Sequence, residues 1–132
     1  MKQLSEKVRK LFENQMFWFL GTCADDPDVS VIGFKELRED GTLVLCDVMM
    51  KHALENIRKT GKACVLASDN ESMAAYQISG SAEYLTSGPV FDEWKKNAEA
   101  MSGGRMSAKG VVILTPESVR DKGVGKHNGE EL

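Results

Sequence analysis

The sequence predicts a mainly β protein, a small antiparallel β-barrel with helices packed on its outside. Six apolar segments have the length and the alternation that are typical of strands. The first three are joined by short turns, which antiparallel neighbours allow and parallel neighbours do not. Three amphipathic segments of helical periodicity lie near the start, the middle and the end of the chain.

The first half of the chain supplies one helix and three of these strands. Apolar residues recur at helical spacing between charged ones, which predicts a helix over 4–14 with its start near Ser5. The aromatic-rich run 16–23 is too short for a core helix and predicts a buried strand. Alternation predicts a strand over 29–36, and an apolar run after the turn REDG predicts another over 42–47. We expect these three strands to form a meander.

The second half supplies two helices and the remaining strands. A charged amphipathic helix is expected over 50–60, with Gly61 just past its end. The segment TSGPVFDEW predicts another helix, because Pro89 suits a first helical turn. A final strand is expected to end before Pro116. The strands of this half are expected at 63–68, 75–85 and 109–114.

Length and charge restrict the classes of function. The 132 residues are enough for one sizeable core, so we expect a single domain over 1–132 with a polar tail, partly extended, from about residue 117. The net charge is −3 and bases are interspersed with acids, which argues against a nucleic-acid or membrane-surface partner. No apolar run approaches the roughly 20 residues that span a bilayer, and the N-terminus is too charged for a signal peptide. A cytoplasmic protein is expected.

The cysteines and one asparagine are expected to be structural. Cys23, Cys46 and Cys64 are odd in number, far apart and each in an apolar context, which predicts buried free thiols rather than a disulfide. With two histidines and no paired spacing, no metal site is expected. Asn56 falls on the polar side of its helix by spacing, where it would bond its own backbone.

The segment CDVMMKHALENIRKTGKACV is the most informative about function. An apolar strand leads almost directly into a helix that starts near Lys51 and His52, with no good capping residue directly ahead. A helix start exposes backbone N–H groups and carries partial positive charge, and the lysine adds to it. This pattern indicates an anion site suited to a phosphate. The alternative is that Asp47 or solvent caps the helix and Lys51 is an ordinary surface lysine.

Several motifs in the same order resemble the FMN-binding split-barrel proteins related to pyridoxamine 5′-phosphate oxidase. They are GFKELREDGTLVLCD, KHALENIRKTGKACV, YQISGSAEYLTSGPVFDE and AKGVVIL, and K-x-x-x-x-N-I followed by a strand is the most telling. The resemblance runs from the first helix to the last strand. It implies a six-stranded antiparallel Greek-key split β-barrel, a homodimer, and two FMN molecules in clefts at the subunit interface. A small-molecule electron donor or acceptor would be the further partner.

The resemblance also implies site residues by position. Lys51 would bind the FMN phosphate, with His52 beside it where many relatives have threonine or serine. Ser30 and Val31 would lie along the ribityl chain and the flavin ring. The strand end and loop against the isoalloxazine would be Cys46, Asp47, Val48 and Met49, with Met49 and Met50 candidates for packing on the flavin or for plain core.

The expected function is that of an FMN-binding flavoprotein, a flavin-dependent oxidoreductase. No acid/base pair or activated nucleophile is visible in the sequence, so the redox chemistry would be the flavin's. The alternatives are a non-catalytic FMN carrier or electron-transfer protein, a relative that uses haem or deazaflavin, and a dimeric interaction protein without cofactor. The ending KHNGEEL carries no arginine-rich motif for the phosphate of vitamin B6, so a true pyridoxamine 5′-phosphate oxidase is not expected.

Overall fold

A computed structural model describes residues 1–132, which form seven strands and three helices. The elements in chain order are α1 (Glu6–Glu13), β1 (Trp18–Cys23), β2 (Pro27–Ile32), β3 (Lys35–Leu37), β4 (Leu43–Asp47), α2 (His52–Thr60), β5 (Lys62–Ser68), β6 (Ala75–Leu85), α3 (Pro89–Met101) and β7 (Gly110–Asp121). No helix is both long enough and apolar enough to cross a membrane.

All strands belong to one antiparallel sheet that curls into a half-barrel. The strand order is β2-β1-β5-β6-β7-β4-β3, so β2 and β3 are the two edges. Only Gly33 and Phe34 separate them in sequence. In a flat sheet of this width the edges would lie about 29 Å apart, whereas this link reaches only about 10 Å. The two edges must therefore meet, and the mainly β barrel class with flanking helices is confirmed.

The chain has seven strands instead of six because the predicted strand 29–36 changes partner in its middle. Its first part pairs with β1, where Val29 faces Gly21, and its second part pairs with β4, where Glu36 faces Val44. Alternation continues through an extended segment whichever strand it pairs with, so the pattern did not reveal the switch at Gly33. The expected three-strand meander is therefore wrong, although the two hairpins it contained are present.

The last strand is longer than expected because a bulge accommodates its proline. β7 pairs with β6 on both sides of Pro116, which lies opposite Gly80, and the register shifts between Ser79 and Gly80. A proline lacks the N–H that a regular ladder needs, and a bulge removes that requirement. Gly80 leaves room for this close approach, because a Cβ there would overlap the carbonyl of Thr115.

The core lies inside the curled sheet, and α1 and α2 cover it. Val8 and Phe12 enter it from α1, Ala53 and Ile57 from α2. A second, smaller core packs α3 on the outer side of β4 and β7, through Trp94 and its neighbours. β4 is buried on both faces for this reason, which explains its uninterrupted apolar run.

The helix ends agree with their sequence signals. The Ser5 side chain accepts a hydrogen bond from Val8 N at 3.3 Å and caps α1. Gly61 ends α2 in the left-handed conformation, at φ 65°, and Pro89 stands in the first turn of α3. No side chain caps the start of α2, as its sequence predicted, or the start of α3, where Gly88 is the N-cap residue; among the three helix starts only α1 has a side-chain cap.

Candidate functional site

A small cavity lies where the two sheet edges meet, between the end of β2 and the loop that follows β4. Its volume is about 100 Å³, and we call it the seam cavity. Its lining consists of Ser30, Val31, Ile32, Gly33, Phe34, Cys46, Val48, Met49 and Met50. The structure thus brings together six of the nine residues predicted to contact the cofactor, namely Ser30, Val31, Cys46, Val48, Met49 and Met50.

The open side of the seam cavity is apolar and its floor is closed. Val31 is 61% exposed and Met49 is 74% exposed, which is unusual for side chains of this size. Met50 and Cys46 are buried and form the floor. The Ser30 hydroxyl donates to Asp28 Oδ2 at 3.0 Å, so its remaining capacity toward a ligand is as an acceptor.

Lys51 and His52 stand at the start of α2, next to the cavity. Lys51 is the N-cap residue and directly follows Met50, which lines the cavity. It is exposed and forms no ion pair. His52 is exposed too, with Nδ1 3.8 Å from Glu55 Oε2. No side chain caps the helix, so its first backbone N–H groups remain available to an anion.

Asp47 is one residue from the cavity lining and is fully buried, at 1% exposure. One carboxylate oxygen accepts from Met50 N at 2.7 Å, and the other accepts from the Tyr84 hydroxyl at 2.6 Å. Asp47 therefore fixes the loop before α2 and does not cap the helix, so the capping alternative for Asp47 is wrong. Burial, then the hydrogen bond to Asp47, raises the pKa of Tyr84.

Cys46 belongs to the smaller core, and its side chain is kept neutral. Burial, and secondly the charge of Asp47, raises the pKa of the Cys46 thiol to about 11. A thiol with such a pKa is a poor nucleophile at neutral pH. Cys46 therefore contributes shape and apolar surface to the seam cavity.

Asn56 supports the site, although the sequence analysis expected it on the solvent-facing side of α2, bonded to its own backbone. It is buried, and its Nδ2 donates to Thr22 Oγ1 and to the carbonyl of Asp26, both at 3.1 Å. These bonds tie α2 to the β1–β2 hairpin, and β2 carries Ser30 and Val31. Spacing alone gave the wrong face because it cannot show that a polar hairpin covers this side of the helix.

The three cysteines are free, and only Cys46 is fully buried. Cys23 is exposed and Cys64 is half-buried, so the expectation of buried thiols is wrong for Cys23, the last residue of β1. Burial raises the pKa of Cys64. No three His, Cys, Asp or Glu side chains come together as they would to hold a metal ion.

A larger but open trough runs across the outer face of the sheet. Its volume is about 580 Å³. Small residues from neighbouring strands, such as Gly21, Cys64 and Ser79, form its floor. Val29 lines this trough, and Val31, two residues along the same strand, lines the seam cavity. β2 therefore separates the two concave surfaces and exposes an apolar residue to each.

The chain is similar in sequence and in structure to proteins of one group. Residues 4–123 match the model of the pyridoxamine 5′-phosphate oxidase family. No curated protein sequence gives a significant match. The HupZ protein of Group A Streptococcus is 24% identical, with a TM-score of 0.79, and the match covers 96% of this chain and all of that one.

Two further solved structures share the fold. An FMN-binding protein from Syntrophomonas wolfei is 18% identical, with a TM-score of 0.78, over 92% of this chain and 87% of that one. A heme binding protein from Mycobacterium smegmatis is 20% identical, with a TM-score of 0.70, over all of this chain and 59% of that one. The TM-scores of these structures establish a common split-barrel fold. Because the family model covers nearly the whole sequence, this chain is a member of the pyridoxamine 5′-phosphate oxidase family.

Proposed function

We propose that this protein is an FMN-binding flavoprotein that acts as a flavin-dependent oxidoreductase. The observation that carries the proposal is the pairing of two features: an uncapped helix start that bears Lys51, and the apolar seam cavity directly beside it. FMN has a phosphate at one end and a flat, largely apolar ring at the other. The site offers a partner for each end.

The donor set fits the phosphate end of FMN. The free N–H groups at the start of α2 would bind phosphate oxygens, and the Lys51 ammonium would add a charge-assisted contact. The imidazole of His52 is exposed at the same helix start and would donate an N–H. Family membership and the likeness to the FMN-binding protein from Syntrophomonas wolfei support FMN as the ligand.

The small size of the seam cavity supports a homodimer in which a second copy of the chain would complete the site. Sites for organic cofactors enclose roughly 300–1,000 Å³, several times the volume of this cavity. One chain would therefore provide one wall, and a homodimer would provide both. The exposed Val29 and Val31 of β2 give that interface its apolar surface.

The residues of the chain would bind and shield the cofactor, while the flavin itself supplies electron and hydride transfer. Lys51 and the amides of α2 would hold the phosphate, and the exposed Val31 and Met49 would cover apolar ring surface and exclude water. The neutral thiol of Cys46 packs beneath them. No side chain lining the cavity is a general acid or base, so protons would come from solvent or from the second substrate.

The visible absorption spectrum tests this proposal. We expect purified protein mixed with FMN to retain, after gel filtration, the bands of oxidised flavin, and these bands to bleach with dithionite. A protein that passes through the column without FMN contradicts the proposal. Retention of haem by the same protein would instead favour the cofactor of the Mycobacterium smegmatis relative.

A steady-state assay then separates an enzyme from a carrier. We expect the FMN-loaded protein to oxidise NAD(P)H in the presence of an electron acceptor, faster than an equal concentration of free FMN. A loaded protein that is no faster than free FMN is a carrier or an electron-transfer protein.

A further inference from the structure

The loop between β4 and α2, residues 48–51, makes few hydrogen bonds to the rest of the chain. It presents Val48, Met49 and Met50 to the seam cavity and ends at Lys51. Met49 and Lys51 are exposed. Within this loop, the hydrogen bond from Met50 N to Asp47 Oδ1, at 2.7 Å, is the one bond from the backbone to a buried side chain. The loop therefore depends on the position of the Asp47 carboxylate.

That carboxylate is held from a distant strand. Asp47 is fully buried and has no cationic partner, so its hydrogen bonds must replace the lost water. Its second oxygen accepts from the hydroxyl of Tyr84, at 2.6 Å, and Tyr84 lies on β6. An oxygen-to-oxygen distance of this length is typical of a charge-assisted bond.

The ring of Tyr84 is fixed from two sides. The guanidinium of Arg58, on α2, lies over it at 5.4 Å from the ring centroid. On another side the backbone of Gly110 approaches so closely that a Cβ there would overlap the end of the ring. Gly110 pairs with Asp47 across β4 and β7, so the same backbone contact aligns the tyrosine with the carboxylate.

We propose that Tyr84 is a positioning residue for the phosphate site, acting through Asp47 on the loop that presents Lys51. The hydroxyl does not line the seam cavity. It holds the carboxylate, the carboxylate holds Met50 N, and the next residues are Lys51 and the open amides of α2. The inference rests on the proposed function and names a residue that sets its selectivity for a phosphorylated flavin.

The test compares Tyr84→Phe with Tyr76→Phe as a matched control. Tyr76 also lies on β6 and is buried, whereas Tyr84 is half-buried, and the Tyr76 hydroxyl forms no hydrogen bond within the chain. In the ligand-free protein, we expect Tyr84→Phe to speed amide hydrogen exchange at Met50 by about tenfold, the factor that follows from losing one bond to a charged group. Exchange at Met50 should not change in Tyr76→Phe. Unchanged exchange in Tyr84→Phe would overturn the inference.

The second readout is the ratio of FMN affinity to riboflavin affinity. We expect Tyr84→Phe to lower this ratio by about fivefold or more, since only FMN uses the amides and Lys51. Gly110→Ala keeps the tyrosine and the aspartate but adds a methyl group that would push the tip of the Tyr84 ring away. This variant should lower the ratio in the same way. Equal weakening of both flavins would overturn a positioning role. A parent protein with no preference for FMN would contradict the proposed function itself, and would remove the phosphate half of this inference.

Discussion

At the scale of single residues, the proposed phosphate site involves two charged groups in opposite environments. Asp47 is buried and satisfied by two hydrogen bonds, and Lys51, four residues later, is exposed and unpaired. A buried carboxylate with fixed donors holds backbone in place. A free ammonium at a helix start is available to a ligand.

We expect Lys51→Ala to weaken FMN binding by roughly 1.5–3 kcal/mol through the loss of a charge-assisted contact. Riboflavin, which lacks the phosphate, should bind as it does to the parent protein. Fluorescence titration with each flavin measures both affinities. Lys96→Ala is the control, because Lys96 is an exposed lysine on α3 without an ion pair. Equal losses for both flavins would show that Lys51 does not contact the phosphate.

The burial of Cys46 makes the stability of the folded protein depend on pH. The ordinary pKa of the Cys46 thiol, 9.0, rises to about 11 in the folded protein. Its neutral form therefore contributes stability that is fully present below about pH 9 and is lost as the pH rises through about 11.

At pH 8 we expect one fast-reacting thiol per chain, Cys23, in a disulfide-exchange assay, and all three only after unfolding.

Cys23→Ser is the control for this assay and should remove the fast phase alone. Fast labelling of Cys46 in the folded Cys23→Ser protein would contradict the buried environment described for it.

The helix-start pattern singled out Lys51 and the family resemblance singled out the apolar residues of the cavity, but neither indicated the roles of Tyr84 and Asn56. The start of a helix after a strand can be recognised from about ten consecutive residues, because its sequence signal is local. The roles of Tyr84 and Asn56 depend on Asp47 and Thr22, which lie 37 and 34 residues away in sequence. No local pattern encodes which side chain covers a polar group from another strand, so these roles appear only in the folded chain.

At the scale of elements, α2 is held at both its start and its middle. Asp47 fixes the loop before it, and Asn56 joins it to the β1–β2 hairpin. An ion pair between Lys59 and Asp25, at 2.8 Å, lies on the exposed rim of the same contact and contributes little. The buried amide is therefore the principal polar link between α2 and the β1–β2 hairpin.

We expect Asn56→Leu to lower the free energy of unfolding by about 1–3 kcal/mol, because Thr22 and the carbonyl of Asp26 lose their buried donor. Urea unfolding followed by circular dichroism measures the change. Asn97→Ala, in α3, is the control, since that side chain makes no hydrogen bond within the chain. If Asn56→Leu lowers the free energy of unfolding no more than the control does, the hydrogen bonds of Asn56 do not stabilise the fold.

At the seam between β2 and β3, the sequence predicted an extended segment but not its pairing partners. The extended segment 29–36 was found from its alternation, but its change of partner at Gly33 was not. Pairing depends on where the rest of the sheet closes, which is a property of seven strands together. The location of the seam cavity follows from that closure.

At the scale of the whole molecule, the proposed cofactor site needs two chains. Each offers a shallow seam cavity, an open trough and the exposed apolar edge strand between them. A monomer would leave Val29 and Val31 in water. A dimer would cover them and enclose the cofactor.

We expect Val29→Glu to convert the dimer to monomers and to weaken FMN binding at least about tenfold, because a buried unpaired charge costs more than the lost contact. Val29 does not line the seam cavity, so the loss would come from the missing second wall. Sedimentation velocity with and without FMN measures the assembly. Val124→Glu, at an equally exposed valine of the C-terminal segment, should leave the dimer intact. A monomeric parent that still binds FMN would contradict the two-chain site.

The ratio of FMN to riboflavin affinity in the unmodified protein tests the central claim most directly. Titration of each flavin into the purified protein, followed by quenching of flavin fluorescence, gives both dissociation constants. If the uncapped start of α2 and Lys51 bind the phosphate, FMN binds more tightly by about tenfold or more. Equal affinities, or no binding of either flavin, would contradict a phosphate-anchored flavin site.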